Sequence, residues 1–469
     1  MSREAKLGLP ILTAMVVGNM VGSGIFMLPR LIAEVASPAG ALLAWLFTGG
    51  GVLALAYIFG SLAVRKPELS GGPQQYARAL FGRKEAAAKM SAYAVSWGYW
   101  VANWSGNVAI ITTFASYLST FFPVMTNRAV LFQIGSFPVR AGNLLTFAIC
   151  SVLLWGVHSL ILRGIEEAGR INLLATGAKV LGFLLFITVS LFAFDRSNIL
   201  PFEQPVTLPS GETIGLWGQL NAGVFATLWA FVGMESAVVF SSRARRPDDI
   251  RKATVIGLFT ALIIYIGITI LVMAAMPRSL LTNSEKPLVD TLSFIVGPSG
   301  SYMMAGLGLV SLFGSAIGWV LLSAEIAFQA AKQGLFPRLF LRENKRGAPV
   351  AALIVTNSLA QAFLLSTLSQ SLTKAFSFIT FVATLSSLLP YALAAVYHLK
   401  LVRSGETYLS ASGKQERIRD GTAAVIATVY AFWVIRTGTA NLQTFLFGAG
   451  LLVLGLLLYP VMTRGTDKR

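Results

Sequence analysis

Long apolar runs, separated by short polar stretches, occupy most of the chain. We predict twelve spans of helical length, each long enough to cross a hydrocarbon layer of about 30 Å. They lie at roughly residues 8–34, 40–64, 88–122, 142–163, 171–194, 215–241, 253–276, 301–331, 349–368, 376–399, 421–437 and 442–463. The pattern predicts an all-α integral membrane protein with twelve transmembrane helices.

The first span is interrupted at its centre by Gly22-Ser23-Gly24. Glycine destabilises a helix interior by about 1 kcal/mol relative to alanine, and unpaired backbone within a bilayer must be surrounded by protein or water. A broken helix offers amide groups to a carboxylate and carbonyl groups to an ammonium, so this stretch suits an α-amino acid. A small-residue face for close helix packing is the alternative interpretation.

A second interruption is predicted in the sixth span, where Gly233 precedes Glu235 by two positions. An acidic residue at mid-membrane is a functional candidate, and a structural ion pair with Lys179 is the alternative. Interrupted helices five spans apart are typical of inverted five-helix repeats that bind substrate between them. We therefore expect one transporter domain over residues 1–469, with repeats at 8–194 and 215–399 and two accessory helices, free of buried charge, at 421–463.

Four further polar residues lie inside predicted spans. Lys179 is about 12 Å deep in span 5, which favours a functional amine over one that snorkels to the membrane surface. Asn103 and Asn107 share one face of span 3, where they either bond neighbouring helices or contact a substrate. Glu325, near the end of span 8, is interpreted as a partner of a basic loop rather than a second proton site.

The chain has a formal net charge of +17, although only 12% of its residues are charged and 55% are hydrophobic, with a mean hydropathy of +0.70. With the N-terminus cytoplasmic, most of the 37 Lys and Arg residues fall on the cytoplasmic side. This asymmetry predicts that both termini are cytoplasmic and that the basic loops meet anionic lipid, not nucleic acid. Seven basic residues fall on the other side: Arg128, Arg140, Arg196, Arg278, Lys286, Lys374 and Arg436.

Enzymatic chemistry is not indicated. The chain has one cysteine, Cys150, and two histidines, His158 and His398, which are too few for a disulfide framework or a histidine metal cluster. No nucleophile–base–acid pattern is visible. We expect neither a catalytic site nor a cofactor or metal.

Several short motifs carry a resemblance to a known family. They are GNMVGSGIF at 18–26, SGG at 70–72, YA at 76–77, FG at 81–82, LWAFVGMESA at 228–237, GW at 318–319, GLFP at 334–337 and PY at 390–391. Over nearly its whole length the chain resembles the amino acid–polyamine–organocation (APC) superfamily. Within it, the chain is most similar to the basic amino acid/polyamine antiporters, which include arginine/ornithine and arginine/agmatine exchangers.

The resemblance implies a LeuT-like fold, with helices 1–5 and 6–10 as inverted repeats and helices 1 and 6 discontinuous. It also implies a multi-pass protein of the inner (plasma) membrane that exchanges arginine, ornithine, lysine or their amine products by alternating access. Members of the family often form homodimers. No cofactor is implied, and a small-molecule amino acid and membrane lipids are the expected partners.

By the same resemblance, the substrate carboxylate should meet Ser23 and the amides around Gly24. The substrate ammonium should meet the carbonyl groups of Met20, Trp229 and Val232. Trp229 should in addition close over bound substrate as an aromatic gate.

The rest of the pocket is implied in the same way. Trp319 should lie along the aliphatic stem of the substrate, and Asn107 should contact its distal cationic group near Ala102 and Asn103. Three further residues match a gating cluster, in which the acidic member senses protons: Tyr99, Glu235 and Tyr391.

Two positions depart from the arginine/agmatine exchangers. Ala383 replaces a serine of helix 10 that lines the side-chain pocket there, which weakens the case for guanidinium specificity. Lys179 instead resembles proton-coupled amino acid transporters of the superfamily, in which a lysine replaces a sodium ion between helices 1 and 8. A proton-coupled symporter of broader specificity and a non-transporting sensor therefore remain the alternatives.

Overall fold

A computed structural model of the chain describes residues 8–69, 72–82, 84–134, 137–236, 244–369, 372–409 and 413–464. Its α-helices are α1 Leu9–Met20, α2 Ser23–Val35, α3 Pro38–Arg65, α4 Gln74–Leu80, α5 Glu85–Leu118, α6 Ala141–Arg163, α7 Ile165–Phe192, α8 Leu216–Phe231, α9 Pro247–Ala275, α10 Arg278–Leu281, α11 Pro287–Val296, α12 Pro298–Lys332, α13 Val350–Leu364, α14 Ser366–Ser369, α15 Leu372–Ser404, α16 Gly413–Gly438 and α17 Leu442–Met462.

Two small antiparallel hairpins interrupt the helical pattern. Strand β1 (Val130–Ile134) pairs with β2 (Phe137–Arg140), and β3 (Val206–Thr207) pairs with β4 (Thr213–Ile214). Within the described ranges, 3₁₀ helices at Pro123–Thr126, Arg196–Ile199 and Arg338–Leu341 connect longer elements. The apolar pattern did not predict the hairpins, because strands of five residues or fewer are much shorter than the runs that mark a membrane span.

The predicted all-α character is confirmed. Within the described ranges, ten helical segments are long and apolar enough to cross a membrane, counting the interrupted pair α1–α2 once. Predicted spans 3 and 6 coincide with α5 and α8, which are not among the ten. The predicted part of span 6 at 237–241 and the motif residues 70–71 lie outside the described residues.

The helices pack as two groups around the interruptions. In one group, α3 packs along α8 and α9, and α1 packs along α9. In the other, α5 packs along α12 and α15, while α12 also packs along α7. The end of α8 contacts α5 and α12 through its tryptophan, so the interrupted helices meet the second group at this point.

A polar contact joins the starts of α3 and α8. Ser37 caps α3 by accepting from the backbone amide of Gly40, and Pro38 occupies the first turn, where no amide donor is needed. The Oε1 atom of Gln219 accepts hydrogen bonds from both the backbone N–H and the hydroxyl of Ser37. This buried cap fixes how the two helices enter the core.

The first accessory helix is longer than the predicted span. Helix α16 begins before the predicted span and carries Asp420, whose side chain is fully buried. The carboxylate accepts from Tyr57 (2.6 Å), Arg65 (2.7 Å) and Tyr408 (2.9 Å). Asp420 lies one residue before the predicted range 421–463, within which the one charged residue, Arg436, is exposed. The acid can be buried because donors of the neighbouring helix α3 compensate its charge.

Candidate functional site

The first helix interruption lies between Met20 and Ser23. Helix α1 ends at Met20, and the amide of Gly22 folds back to the Met20 carbonyl at 2.7 Å. Helix α2 then begins at Ser23, whose buried hydroxyl has no hydrogen-bond partner among the described residues. The break is therefore where the sequence placed it, with an unused polar side chain at the start of its second half.

The two interrupted helices contact one another at Gly24. A Cβ atom at this position would lie 3.4 Å from Cα of Ala230 and 3.5 Å from Cδ1 of Trp229. These are ordinary contact distances, so α2 packs directly against the last turn of α8 at this glycine. The expected carboxylate site around Ser23 and Gly24 faces the second interruption.

The second interruption follows Phe231, the last residue of α8. Val232 is extended and donates its amide to the Trp229 carbonyl at 3.1 Å, so that carbonyl, expected to receive a substrate ammonium, already has one donor. Gly233 has a φ of +104°, a left-handed conformation that glycine adopts without strain. This turn directs the chain toward Glu235.

Glu235 is fully buried within the expected gating cluster. Its Oε2 atom accepts a hydrogen bond from the Tyr391 hydroxyl at 2.7 Å and from the Gly233 amide at 3.2 Å. The Tyr99 hydroxyl lies beside the same carboxylate without completing a hydrogen bond. The structure thus brings together the three residues that the sequence grouped.

Two tryptophans form the aromatic part of the site. The rings of Trp229 and Trp319 have centroids 5.8 Å apart and are tilted by 48°. Trp319 donates its indole N–H to the Asn19 carbonyl at 3.1 Å, which ties α12 to the end of α1. Gly106 of α5 lies against both rings, since a Cβ atom there would be 2.5 Å from Trp319 and 3.1 Å from Trp229.

The two predicted amides of α5 have different partners. Asn103 donates to the Tyr99 carbonyl of its own helix at 2.8 Å, not to a neighbouring helix. Asn107 donates through Nδ2 to the Ser323 hydroxyl of α12 at 3.1 Å. Its Oδ1 atom is buried and has no partner in the described part of the chain. The adjacent Ala102 carbonyl accepts from Ser105 at 3.1 Å.

Lys179 connects three helices. Its side chain is only 4% exposed, and its ammonium donates to the Gly18 carbonyl of α1 and to the Ser315 hydroxyl of α12, both at 3.0 Å. The amine therefore points into the protein, which contradicts a snorkelling side chain. The alternative pair with Glu235 is not formed either, because each residue has other partners.

Two other predicted positions have local roles. Glu325 accepts from Gln329, one turn later in the same helix, at 2.6 Å, so its described partner is not a basic loop. The Ala383 carbonyl accepts from Ser387 at 2.9 Å within α15, and its side chain is buried.

A residue that the sequence analysis missed links both interruptions. The hydroxyl of Tyr265, on α9, lies 2.7 Å from the Met20 carbonyl and 2.7 Å from the Ala230 carbonyl. It therefore bonds the C-terminal ends of α1 and α8 together. A single tyrosine in an apolar run carries no signal that distinguishes such a contact from packing.

An open cavity of about 710 Å³ borders this site at Trp229. It lies among α2, α8, α15, α16 and the β3–β4 hairpin, and Trp229 is part of its wall. Charged residues also line it: Glu34, which pairs with Arg30 at 2.9 Å, together with Glu212 and Arg436. A solute in the cavity can therefore contact Trp229, one member of the aromatic pair.

Two facing helix interruptions around a buried polar cluster are typical of membrane transporters. The amino acid permease family model matches residues 7–458, and the chain belongs to this family.

Curated relatives match over nearly the full length. A provisionally named arginine/ornithine antiporter of Bacillus subtilis is 48% identical over 100% of this chain and 99% of its own length. An arginine/ornithine antiporter of Pseudomonas aeruginosa is 37% identical over 98% and 92%. An arginine/agmatine antiporter of Chlamydia pneumoniae is 31% identical over 97% and 89%.

Proposed function

We propose that the protein is a secondary transporter that exchanges cationic amino acids, foremost arginine and ornithine, by alternating access. The observation that carries this proposal is the contact between the two helix interruptions at Gly24 and Trp229. The names of the full-length relatives support exchange of arginine against ornithine or agmatine. The protein moves its substrate across the membrane and does not transform it.

The α-amino acid group binds between the interruptions. Ser23 and the amides around Gly24 receive the carboxylate, at the N-terminal end of α2, where the helix dipole favours an anion. The carbonyls of Met20, Trp229 and Val232 receive the ammonium. A carbonyl oxygen has two lone pairs, so the Trp229 carbonyl, which accepts from Val232, has room for the substrate. The Met20 carbonyl already accepts from Gly22 and Tyr265, so the ammonium must displace one of these donors there.

The substrate side chain lies between the aromatic pair and α5. Trp319 packs along the aliphatic stem, and the unpartnered Oδ1 atom of Asn107 accepts from the distal cationic group, near Ala102 and Asn103. A buried acceptor without a donor is costly by about 1–3 kcal/mol, so a cationic donor gains by binding there.

Gating uses groups on both sides of the pocket. Trp229, in the wall of the cavity, closes over bound substrate and separates it from the cavity. Glu235, held by Tyr391 and flanked by Tyr99, is the proton-sensing candidate behind the second interruption.

The chain crosses the inner (plasma) membrane twelve times, with both termini cytoplasmic and the basic loops against anionic lipid. Residues 8–194 and 215–399 form the two inverted LeuT-like repeats, and residues 421–463 form the accessory helices, which also offer a surface for a homodimer. In support, the interrupted pair α1–α2 opens the first repeat, and the interrupted α8 opens the second.

Lys179 acts as a fixed internal cation between α1 and α12, as its bonds to Gly18 and Ser315 suggest. A proton-coupled symporter is the alternative, because loss of a proton would remove the positive charge that strengthens both bonds. The two mechanisms differ in what drives uptake.

Uptake of radiolabelled arginine into proteoliposomes distinguishes exchange from proton-coupled symport. We would load the liposomes with or without ornithine, impose or omit an inward proton gradient, and compare the wild type with Lys179→Ala. Uptake that requires internal ornithine and ignores the gradient supports exchange. Uptake into empty liposomes that is driven by the gradient and lost in Lys179→Ala indicates symport. Absence of arginine uptake under all conditions contradicts the cationic substrate.

A further inference from the structure

A chain of two hydrogen bonds runs from α12 to α5 beside the aromatic pair. The Ser323 hydroxyl donates to the Trp319 carbonyl, one turn earlier in α12, at 2.7 Å. The Nδ2 group of Asn107 donates to the oxygen of the same hydroxyl at 3.1 Å. Both Ser323 and Asn107 are fully buried.

The Trp319 carbonyl, at one end of these two hydrogen bonds, determines which group donates in each of them. A backbone carbonyl can only accept, so the single hydrogen of Ser323 is committed to Trp319. The hydroxyl oxygen then has only lone pairs to offer to α5, and the amide of Asn107 must turn its N–H toward it. The carbonyl oxygen of the amide, Oδ1, consequently faces away from Ser323.

The orientation matters because Oδ1 is the atom left without a partner. It is buried and makes no hydrogen bond within the residues that the structure describes. An amide turned the other way would present N–H groups, which favour an acceptor. In the observed orientation the amide presents only an acceptor, which favours guanidinium or ammonium groups, since these can only donate.

We propose that Ser323 is a positioning residue that makes the pocket selective for cationic head groups by orienting the amide of Asn107. The inference deepens the proposed function and rests on it. Ser323 does not itself contact substrate in this scheme. It acts by preventing rotation of the neighbouring amide into the orientation that a neutral, carbonyl-bearing side chain prefers.

Arginine and citrulline provide the matched probes. Citrulline replaces one guanidinium nitrogen with a carbonyl oxygen, so it is neutral and carries an acceptor where arginine carries a donor. We would measure kcat/KM for both by exchange against internal ornithine, in the wild type, Ser323→Ala and Ser323→Cys. The thiol is nearly isosteric with the hydroxyl but accepts hydrogen bonds weakly.

Ser311→Ala is the control. Ser311 is a buried serine of the same helix, and its hydroxyl takes part in no hydrogen bond of the described residues. We expect both Ser323 variants to lower the arginine-to-citrulline ratio of kcat/KM about tenfold, the value of one net hydrogen bond, mainly through KM. Ser311→Ala should keep the wild-type ratio.

A second test separates orientation from general damage to α12. In Asn107→Asp both side-chain oxygens accept, so orientation no longer matters, and adding Ser323→Ala should leave the ratio unchanged. An unchanged ratio in either folded single Ser323 variant, or an equal drop when Ser323→Ala is combined with Asn107→Asp, overturns the inference. Failure of the wild type to exchange arginine at all contradicts the proposed function instead.

Discussion

The hydroxyl of Tyr265 lies 2.7 Å from the carbonyl oxygen of Met20, the last residue of α1. The same hydroxyl lies 2.7 Å from the Ala230 carbonyl near the end of α8. One side chain thus holds the ends of both interrupted helices, at the site where we place the substrate ammonium. Any movement that separates these ends must break at least one of the two contacts.

Removing this hydroxyl should impair transport more than folding. We expect Tyr265→Phe to lower the rate of arginine exchange about tenfold, because the two carbonyl groups lose the single hydroxyl hydrogen that they share, at a net value of about 1–1.5 kcal/mol. The measurement is exchange in proteoliposomes together with the apparent Tm in detergent. Tyr302→Phe, at an exposed tyrosine, is the control. A variant with wild-type exchange would show that the link has no functional role.

The ammonium group of Lys179 should be important for transport because it donates hydrogen bonds to two helices. We expect Lys179→Met, which keeps the chain length but not the ammonium, to reduce arginine exchange at least about tenfold, because the Gly18 carbonyl and Ser315 hydroxyl lose their shared partner.

Lys252→Met is the matched control for this lysine. Lys252 is exposed and pairs with Asp248 at 2.9 Å, an interaction worth less than about 1 kcal/mol. Equal exchange rates for Lys179→Met and the wild type, measured at equal reconstituted protein, would contradict the role of the buried amine.

Gly106 should be intolerant of even a methyl group. A Cβ atom there would lie 2.5 Å from the Trp319 ring, and such overpacking is destabilising by about 1–3 kcal/mol. We therefore expect Gly106→Ala to weaken arginine binding by about tenfold or more, as judged by KM in exchange assays.

Gly177→Ala is the companion substitution. A Cβ atom at this helical glycine meets no atom within 4 Å, so the change should be neutral or stabilise α7 by up to about 1 kcal/mol. If the two variants behave alike, close approach at Gly106 does not shape the pocket.

The Asp420 cluster should contribute to stability, not to substrate choice. Asp420→Asn leaves the guanidinium of Arg65 without its fully buried partner, although Glu416 still pairs with it at 2.9 Å. We expect Asp420→Asn to lower the free energy of unfolding by about 2 kcal/mol, somewhat less than an uncompensated buried charge would, and to lower the apparent Tm.

The control for this cluster is Asp248→Asn, since that carboxylate is 40% exposed and should matter little. The arginine KM should be unchanged in both variants. A fall in arginine affinity for Asp420→Asn with an unaltered Tm would assign the cluster to transport instead.

The sequence by itself determined the helical architecture and the positions of the interruptions. Apolar runs of membrane length can satisfy their backbone only as helices, so the spans follow from hydropathy. Gly22, and again Gly233, marks an interruption, because glycine adopts non-helical backbone conformations at little steric cost. The candidate residues Ser23, Trp229 and Glu235 could therefore be found from local patterns.

The tertiary structure alone decided the partners. Tyr265, Ser315 and Ser323 look like ordinary packing residues in the sequence, and their importance arises from groups far away along the chain. The burial of Asp420 depends on donors from α3, which no local pattern reveals. Hydropathy reports the environment of a segment, whereas a hydrogen bond depends on which atoms two separate helices bring within about 3 Å of one another.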